Sequence, residues 1–290
     1  MKFAVIGGDA RAGWLAALLA ADGHTVRGFA LERAALPQRV MQCSSLTAAV
    51  YGADWVIVGL PAEKNGELLA PLSVQRIRTE ELLTALWPGQ TLCGGRIGQG
   101  AALAAVRAGL QVCDLMGRRD FTAGNAALTA EGAVGVLIRE SPRSLWKGRA
   151  LVTGWGRIAR QLAPRLRVLG CETIVAARKP GDRAEAEGFG LKSCTFRELP
   201  ALSGELAYLI NTVPAPLISR DTLEHLRPDA LLLELASEAG FDRALAEELG
   251  LRAVCAPGLP GRSAPCAAAA LIRDTVYAVI REREENDDGE

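Results

Sequence analysis

The sequence predicts an α/β protein of two doubly wound parallel-sheet domains joined by long helices. Three observations predict it. Short apolar strands alternate with amphipathic helices through both halves of the chain. Each half opens with a strand that runs into a glycine turn, Gly7-Gly8 in the first and Gly154-Trp155-Gly156 in the second. Between them lies an Ala- and Gly-rich stretch, Thr122–Arg139, with apolar residues at helical spacing, broken by Ser141-Pro142. Together these describe two Rossmann-like layers. A length of 290 residues suits two domains.

In chain order, Phe3–Ile6 reads as a strand, Arg11–Ala21 as a helix and His24–Phe29 as the next strand. Asp54–Leu60, Gln90–Cys93 and Leu110–Leu115 read as buried strands, with helices at Glu80–Leu86 and Gly100–Ala108. That makes a five-stranded layer, flavodoxin- or Rossmann-like, expected to be a substrate domain over residues 1–120. A connecting helix is expected over 121–145. Its small residues permit close backbone approach. The second series places strands at Leu151–Thr153, Thr173–Ala176, Ala207–Asn211, Leu231–Glu234 and Arg252–Ala256, in a dinucleotide-binding domain over 146–262. Residues 263–290 read as a C-terminal helix (Cys266–Arg281) followed by a charged tail, Arg283–Glu290, expected to fray.

Composition excludes several classes. Lys plus Arg and Asp plus Glu both number 33, so no electrostatic case exists for nucleic acid or a membrane surface. No N-terminal signal is read, and no apolar run reaches the ~20 residues of a membrane helix. The seven cysteines are odd in number and lack CxxC spacing, which reads as buried thiols in a reducing cytoplasm. With only His24 and His225 present, neither a metal site nor a histidine-dependent mechanism is expected.

The chemistry concentrates at Gly154-Trp155-Gly156-Arg157-Ile158-Ala159, the Gly-x-Gly-x-x-Ala form of a dinucleotide fingerprint. Gly154 allows the tight turn, Gly156 lets backbone approach a pyrophosphate, and Ala159 lets the helix pack on the strand. The required strand precedes it and a helix follows. Pro164 inside that helix predicts a kink, yet Ile158, Leu162, Leu166 and Leu169 keep one apolar face through it.

The first-half turn differs. Asp9 falls where a pyrophosphate would lie and repels it, which assigns the cofactor to the second half. There Asp9 and Arg11 read either as a helix N-cap and a surface arginine, or as a base and a carboxylate-binding cation. NAD binding calls for an acid about 20 residues beyond the glycines. Here Arg178 and Lys179 stand at that strand end, which favours NADP over NAD through a 2′-phosphate clamp. The alternative is that both are solvated and either cofactor is accepted. Three further turns complete the expected cofactor site: Asn211-Thr212-Val213-Pro214, Leu235-Ala236-Ser237, and Ala256-Pro257-Gly258-Leu259-Pro260-Gly261.

These motifs, with the opening Ala4-Val5-Ile6-Gly7-Gly8-Asp9-Ala10-Arg11, resemble the bacterial family of dipicolinate synthase A-subunits essentially end to end. More distantly the chain resembles 2-hydroxyacid dehydrogenases and S-adenosylhomocysteine hydrolases. The family resemblance implies an oxidoreductase that takes a tetrahydropyridine dicarboxylate of the lysine pathway, after loss of water, to pyridine-2,6-dicarboxylate. It implies a nicotinamide cofactor, the flavoprotein-like B-subunit of dipicolinate synthase as partner, and the cytoplasm of a sporulating mother cell. A homo-oligomer is also expected. For a dicarboxylate substrate the candidate clamps are Arg11 and Arg96, with Asn125 and Ser237 as hydrogen-bond donors and Asp9 or Glu131 as the base. Two other readings remain: a 2-hydroxyacid or imine reductase, against which the positions of both histidines argue, and a non-catalytic subunit that holds NADPH and substrate.

Overall fold

The computed structural model describes residues 1–287 and falls into two compact units. The first comprises Met1–Asn125 together with the segment from Pro260 onward, and the second is Ala126–Leu259.

In the first unit the chain runs β1 (Lys2–Ile6), α1 (Ala10–Ala21), β2 (Thr25–Phe29), β3 (Val40–Gln42), α2 (Leu46–Val50), β4 (Trp55–Ile57), β5 (Glu63–Lys64), β6 (Glu67–Leu68), α3 (Thr79–Ala85), β7 (Thr91–Gly94), α4 (Gln99–Arg107) and β8 (Gln111–Asp114). Six of these strands form one parallel sheet in the order β3-β2-β1-β4-β7-β8. β1 explains why: Phe3 and Val5 enter the core on one face, Ala4 and Ile6 the core on the other. A strand buried on both faces reads as a continuous apolar run, the mark of a parallel sheet.

α5 (Arg119–Glu140) follows, and the units divide within it. By length and composition it is the one described helix that would pass for a membrane span, which corrects the sequence reading. Half of that stretch is buried inside the protein, so it is a core helix. The close approach expected of its small residues is present: a β-carbon at Gly124 would lie 2.7 Å from Leu271 Cδ1.

The second unit repeats the plan: β9 (Arg149–Thr153), α6 (Arg157–Val168), β10 (Glu172–Ala176), α7 (Pro180–Gly188), β11 (Lys192–Cys194), α8 (Leu199–Ser203), β12 (Tyr208–Asn211), α9 (Arg220–Glu224), β13 (Leu231–Glu234), α10 (Arg243–Glu248) and β14 (Arg252–Cys255). Its sheet order, β11-β10-β9-β12-β13-β14, equals that of the first. Both sheets therefore reverse direction between their first and fourth strands, the switch point where such sheets take ligands. Leu231 and Leu233 face one core and Leu232 the other. α6 runs continuously through Pro164, and Leu162 and Leu166 stay fully buried.

α11 (Leu259–Ser263) and α12 (Pro265–Asp287) end the chain. α12 packs on α1 and the first sheet through Ala269, Ile272, Val276 and Val279. Tyr277 donates to Asp22 Oδ2 at 2.8 Å. The expected fraying does not hold for residues 283–287, which are helical. Glu282 pairs with Arg118 at 2.7 Å, and Arg283 lies 4.9 Å from the Trp55 ring centroid and donates to Thr91 Oγ1 at 2.8 Å. Residues 288–290 of that expectation lie outside the described residues.

Candidate functional site

The fingerprint sits at the switch point of the second unit, where β9 meets β12. Gly154 has φ +78°, and a β-carbon there would stand 2.6 Å from Val213 Cγ2. Its N–H donates to Ala176 O at 2.7 Å, which fixes the turn against β10. Trp155 turns inward; it is buried and packs on Phe189 at 5.9 Å between centroids. Gly156 is the N-cap of α6, with no side-chain cap, and a β-carbon on it would meet nothing within 4 Å. The first-turn N–H groups of a helix have no intrahelical acceptor. Arg157, exposed, and Ile158, half-buried against the core, follow Gly156 at the start of α6.

In front of this turn lies a cavity of about 630 Å³. Gly154, Trp155, Gly156, Arg178, Lys179, Thr212, Val213 and Pro214 all line it, so one concavity gathers eight of the expected cofactor residues. Arg178 and Lys179 are exposed at the end of β10. Asp182, Phe196 and Leu217 also line it and were not expected there. Asp182 is an acid in the first turn of α7, four residues beyond Arg178. Fit to a dinucleotide rests on these features: an uncapped helix start, an open Gly156, and a cation pair lining the same cavity.

The other expected cofactor residues fall elsewhere in the unit. Pro257 and Gly258 are exposed in the turn after β14 and do not line the cavity. Leu235 is buried, and its N–H donates to Asn211 O at 2.9 Å. Ala236 N–H donates to Glu234 Oε1 at 2.9 Å, and Ser237 is exposed. Asn211 is fully buried, with its amide committed to protein groups. Thr153, Glu234 and Gly240, its neighbours, were missed. A glutamate closing the apolar run Leu231–Leu233 was the available signal.

The turn of the first unit is filled by its own chain. Gly7 and Gly8 have φ +59° and +93°. Gly8 N–H donates to Leu69 O at 2.8 Å, and a β-carbon at Gly7 would lie 2.9 Å from Ala70 Cβ. Asp9 caps α1, accepting from Arg11 N–H at 3.1 Å. Its two carboxylate oxygens also accept from Arg11 Nε and Nη2, both at 2.8 Å. Arg11 Nη2 donates onward to Leu60 O at 2.5 Å. Arg11 is therefore no surface arginine: its side chain is 8% exposed. Arg96 differs. It is exposed at φ +54°, its own N–H held by Asp114 Oδ1 at 3.0 Å. Asn125 is half-buried on α5 and Glu131 exposed on it. A larger cavity of about 920 Å³ opens beside Lys2, Asp54 and Gln90, at the amino ends of the first sheet's strands. That is the wrong end for a ligand of this architecture.

Two parallel sheets of one topology, the second with a glycine fingerprint at its switch point, define a fold class: two Rossmann-like α/β units of the dehydrogenase-type fold. The fold is shared with a transhydrogenase from Sinorhizobium meliloti, at TM-score 0.68 and 16% identity over 97% of this chain and 93% of that one. The chain is similar to the dipicolinate synthase A-subunits. Residues 2–116 match the family described as the N-terminal domain of the dipicolinate synthase A-subunit. The dipicolinate synthase A-subunit of Bacillus subtilis (strain 168) is 29% identical over 179 residues, 61% of this chain and 60% of that protein. The match thus spans less than two thirds of the relative's length. The crystal structure of the dipicolinate synthase A-subunit from Bacillus halodurans superposes at TM-score 0.83, with 21% identity over 96% of this chain and 97% of that one.

Proposed function

We propose that the chain is an NADP-dependent oxidoreductase that converts a dihydropyridine-2,6-dicarboxylate, formed by water loss from the lysine-pathway intermediate, into the aromatic pyridine-2,6-dicarboxylate. The observation that carries this reading is the cavity at the second switch point, with Gly156 open and Arg178 and Lys179 lining it. Residues 146–262 serve as the dinucleotide domain and 1–120 as the substrate domain. Gly154, Gly156, Arg157 and Ile158 hold the pyrophosphate; Arg178 and Lys179 hold the 2′-phosphate. The nicotinamide, when bound, supplies the hydride acceptor. The ring loses one hydride and one proton, and aromatisation provides driving force, so the protein mainly positions and desolvates. Glu131 is a better base than Asp9, whose oxygens are held by Arg11. By the same argument Arg96, with Asn125 as a donor, leads Arg11 as a carboxylate clamp. The resemblance further supports work with a second, flavoprotein-like subunit in the mother-cell cytoplasm.

Incubated with NADP⁺ and the lysine-pathway intermediate, the purified chain is expected to form the product alone, read by its ultraviolet absorbance. Product only when the second subunit is added, with NADPH still bound by the chain, would favour the non-catalytic reading. Arg178→Ala is expected to weaken NADPH at least about tenfold, since a hydrogen bond to a charged group contributes ~1.5–3 kcal/mol, while leaving NADH unchanged. Equal loss for both nucleotides would remove Arg178 from 2′-phosphate recognition. Asp182, in the same cavity, opposes a phosphate dianion and so narrows the preference.

A further inference from the structure

Behind the cavity lies a buried polar chain linking three strand ends. Glu234 closes β13 at 4% exposure, and among the described residues no ion pair includes it. Burying an acid without a cation is costly unless donors surround it. Here three do. Glu234 Oε1 accepts from Asn211 Nδ2 at 2.7 Å and Ala236 N–H at 2.9 Å, and Oε2 accepts from Gly240 N–H at 2.8 Å. Because every neighbour donates, Glu234 fixes the direction of all that follows. It turns the Asn211 amide so that Oδ1 accepts from Thr153 Oγ1 at 2.5 Å and from Val213 N–H at 3.2 Å. Nδ2 also donates to Val213 O at 2.9 Å. Thr153 Oγ1 in turn accepts from Thr212 N–H at 3.1 Å.

Each end of this chain reaches the cavity wall. Thr212 and Val213 line the cavity. Gly240 O accepts from Leu217 N–H at 3.1 Å, and Leu217 lines it too. Gly240 leaves no space for a side chain, since a β-carbon would stand 2.3 Å from Asn211 Nδ2. We propose that Glu234, acting through Asn211, Thr153 and Gly240, is a positioning residue that holds Thr212, Val213 and Leu217 in the geometry that admits the dinucleotide, without touching it. Asn211 thereby moves from a cofactor ligand to a member of this support. An apolar core at the same place would serve stability at least as well. What the polar chain adds is one fixed donor and acceptor pattern, and hence one turn geometry. The inference rests on reading the cavity as a pyridine-nucleotide site.

The test uses the full chain, NADPH titrated by fluorescence, and the melting temperature of each variant. Glu234→Gln keeps shape but sets an amide NH₂ against donors; NADPH affinity is expected to fall at least about tenfold in protein that is still folded. Thr153→Val is expected to lose a similar factor, and Thr153→Ser, which keeps the hydroxyl, to stay within about threefold of the parent. Folded Glu234→Gln that binds within about threefold of the parent overturns the proposal. Should Glu234→Gln not fold, equal binding by Thr153→Val and Thr153→Ser overturns it instead. A parent chain that binds neither NADPH nor NADH overturns the cavity reading, and this inference with it; binding by the parent with unaffected variants sinks the positioning role alone.

Discussion

Gly156→Ala is expected to cut the affinity for NADPH and NADH alike by about a hundredfold or more, while the melting temperature falls by no more than ~4 °C. The position separates folding from binding. Its backbone, φ −82° and ψ −173°, is one that any L-residue adopts, and an added methyl group would meet no protein atom within 4 Å. An alanine at an N-cap costs only about 1 kcal/mol relative to glycine. The methyl would stand instead on the path by which phosphate oxygens approach the uncapped start of α6. Gly154→Ala is a poor substitute as a probe. It forces a side chain into φ +78° and drives it to 2.6 Å from Val213 Cγ2, so lost binding there could reflect a damaged turn. Calorimetric titration of both nucleotides decides the matter. Undiminished affinity in Gly156→Ala would mean that the pyrophosphate does not cross this helix start.

Much of this arrangement was legible because the informative residues are neighbours in sequence. Leu151–Thr153, the glycines and Ile158–Leu166 form one continuous segment, and each obeys a local rule: a strand buried on two faces, a turn, an apolar helical stripe. Where elements are short the rules fail. β3 and β11 are three residues each, with one face partly open, too brief for any period to emerge, so five strands per sheet were read where six exist. The β5–β6 hairpin has a local sequence mark, Asn65-Gly66, whose φ values of +55° and +77° are those of a type I′ turn. The rest depends on residues far apart in the chain. Thr153, Asn211 and Glu234 meet only because β9, β12 and β13 are adjacent in the sheet. Likewise Glu282 and Arg283 hold the last turns of α12 through Arg118, Trp55 and Thr91, which no local composition reveals.

The same dependence on distant contacts links the two most distinctive motifs of the chain, Gly7–Arg11 and Ala256–Gly261. Gly261 packs directly on the Asp9–Arg11 pair: a β-carbon there would lie 2.6 Å from Asp9 Oδ2 and 2.9 Å from Arg11 Nε. Flexible surface groups would swing aside at small cost, but these cannot. The Arg11 side chain is 8% exposed and holds both Asp9 oxygens and the Leu60 carbonyl, while Asp9 also caps α1. Gly261→Ala is therefore expected to destabilise by about 1–3 kcal/mol, the range of an overpacked core, lowering the melting temperature by roughly 3–10 °C. The cause is testable by non-additivity. In an Asp9→Ala background the added methyl gains the space the carboxylate vacates, so Gly261→Ala should cost at least about 1 kcal/mol less there than in the parent. Equal cost in both backgrounds would show that the glycine is required for the backbone of α11 and not for its approach to the pair.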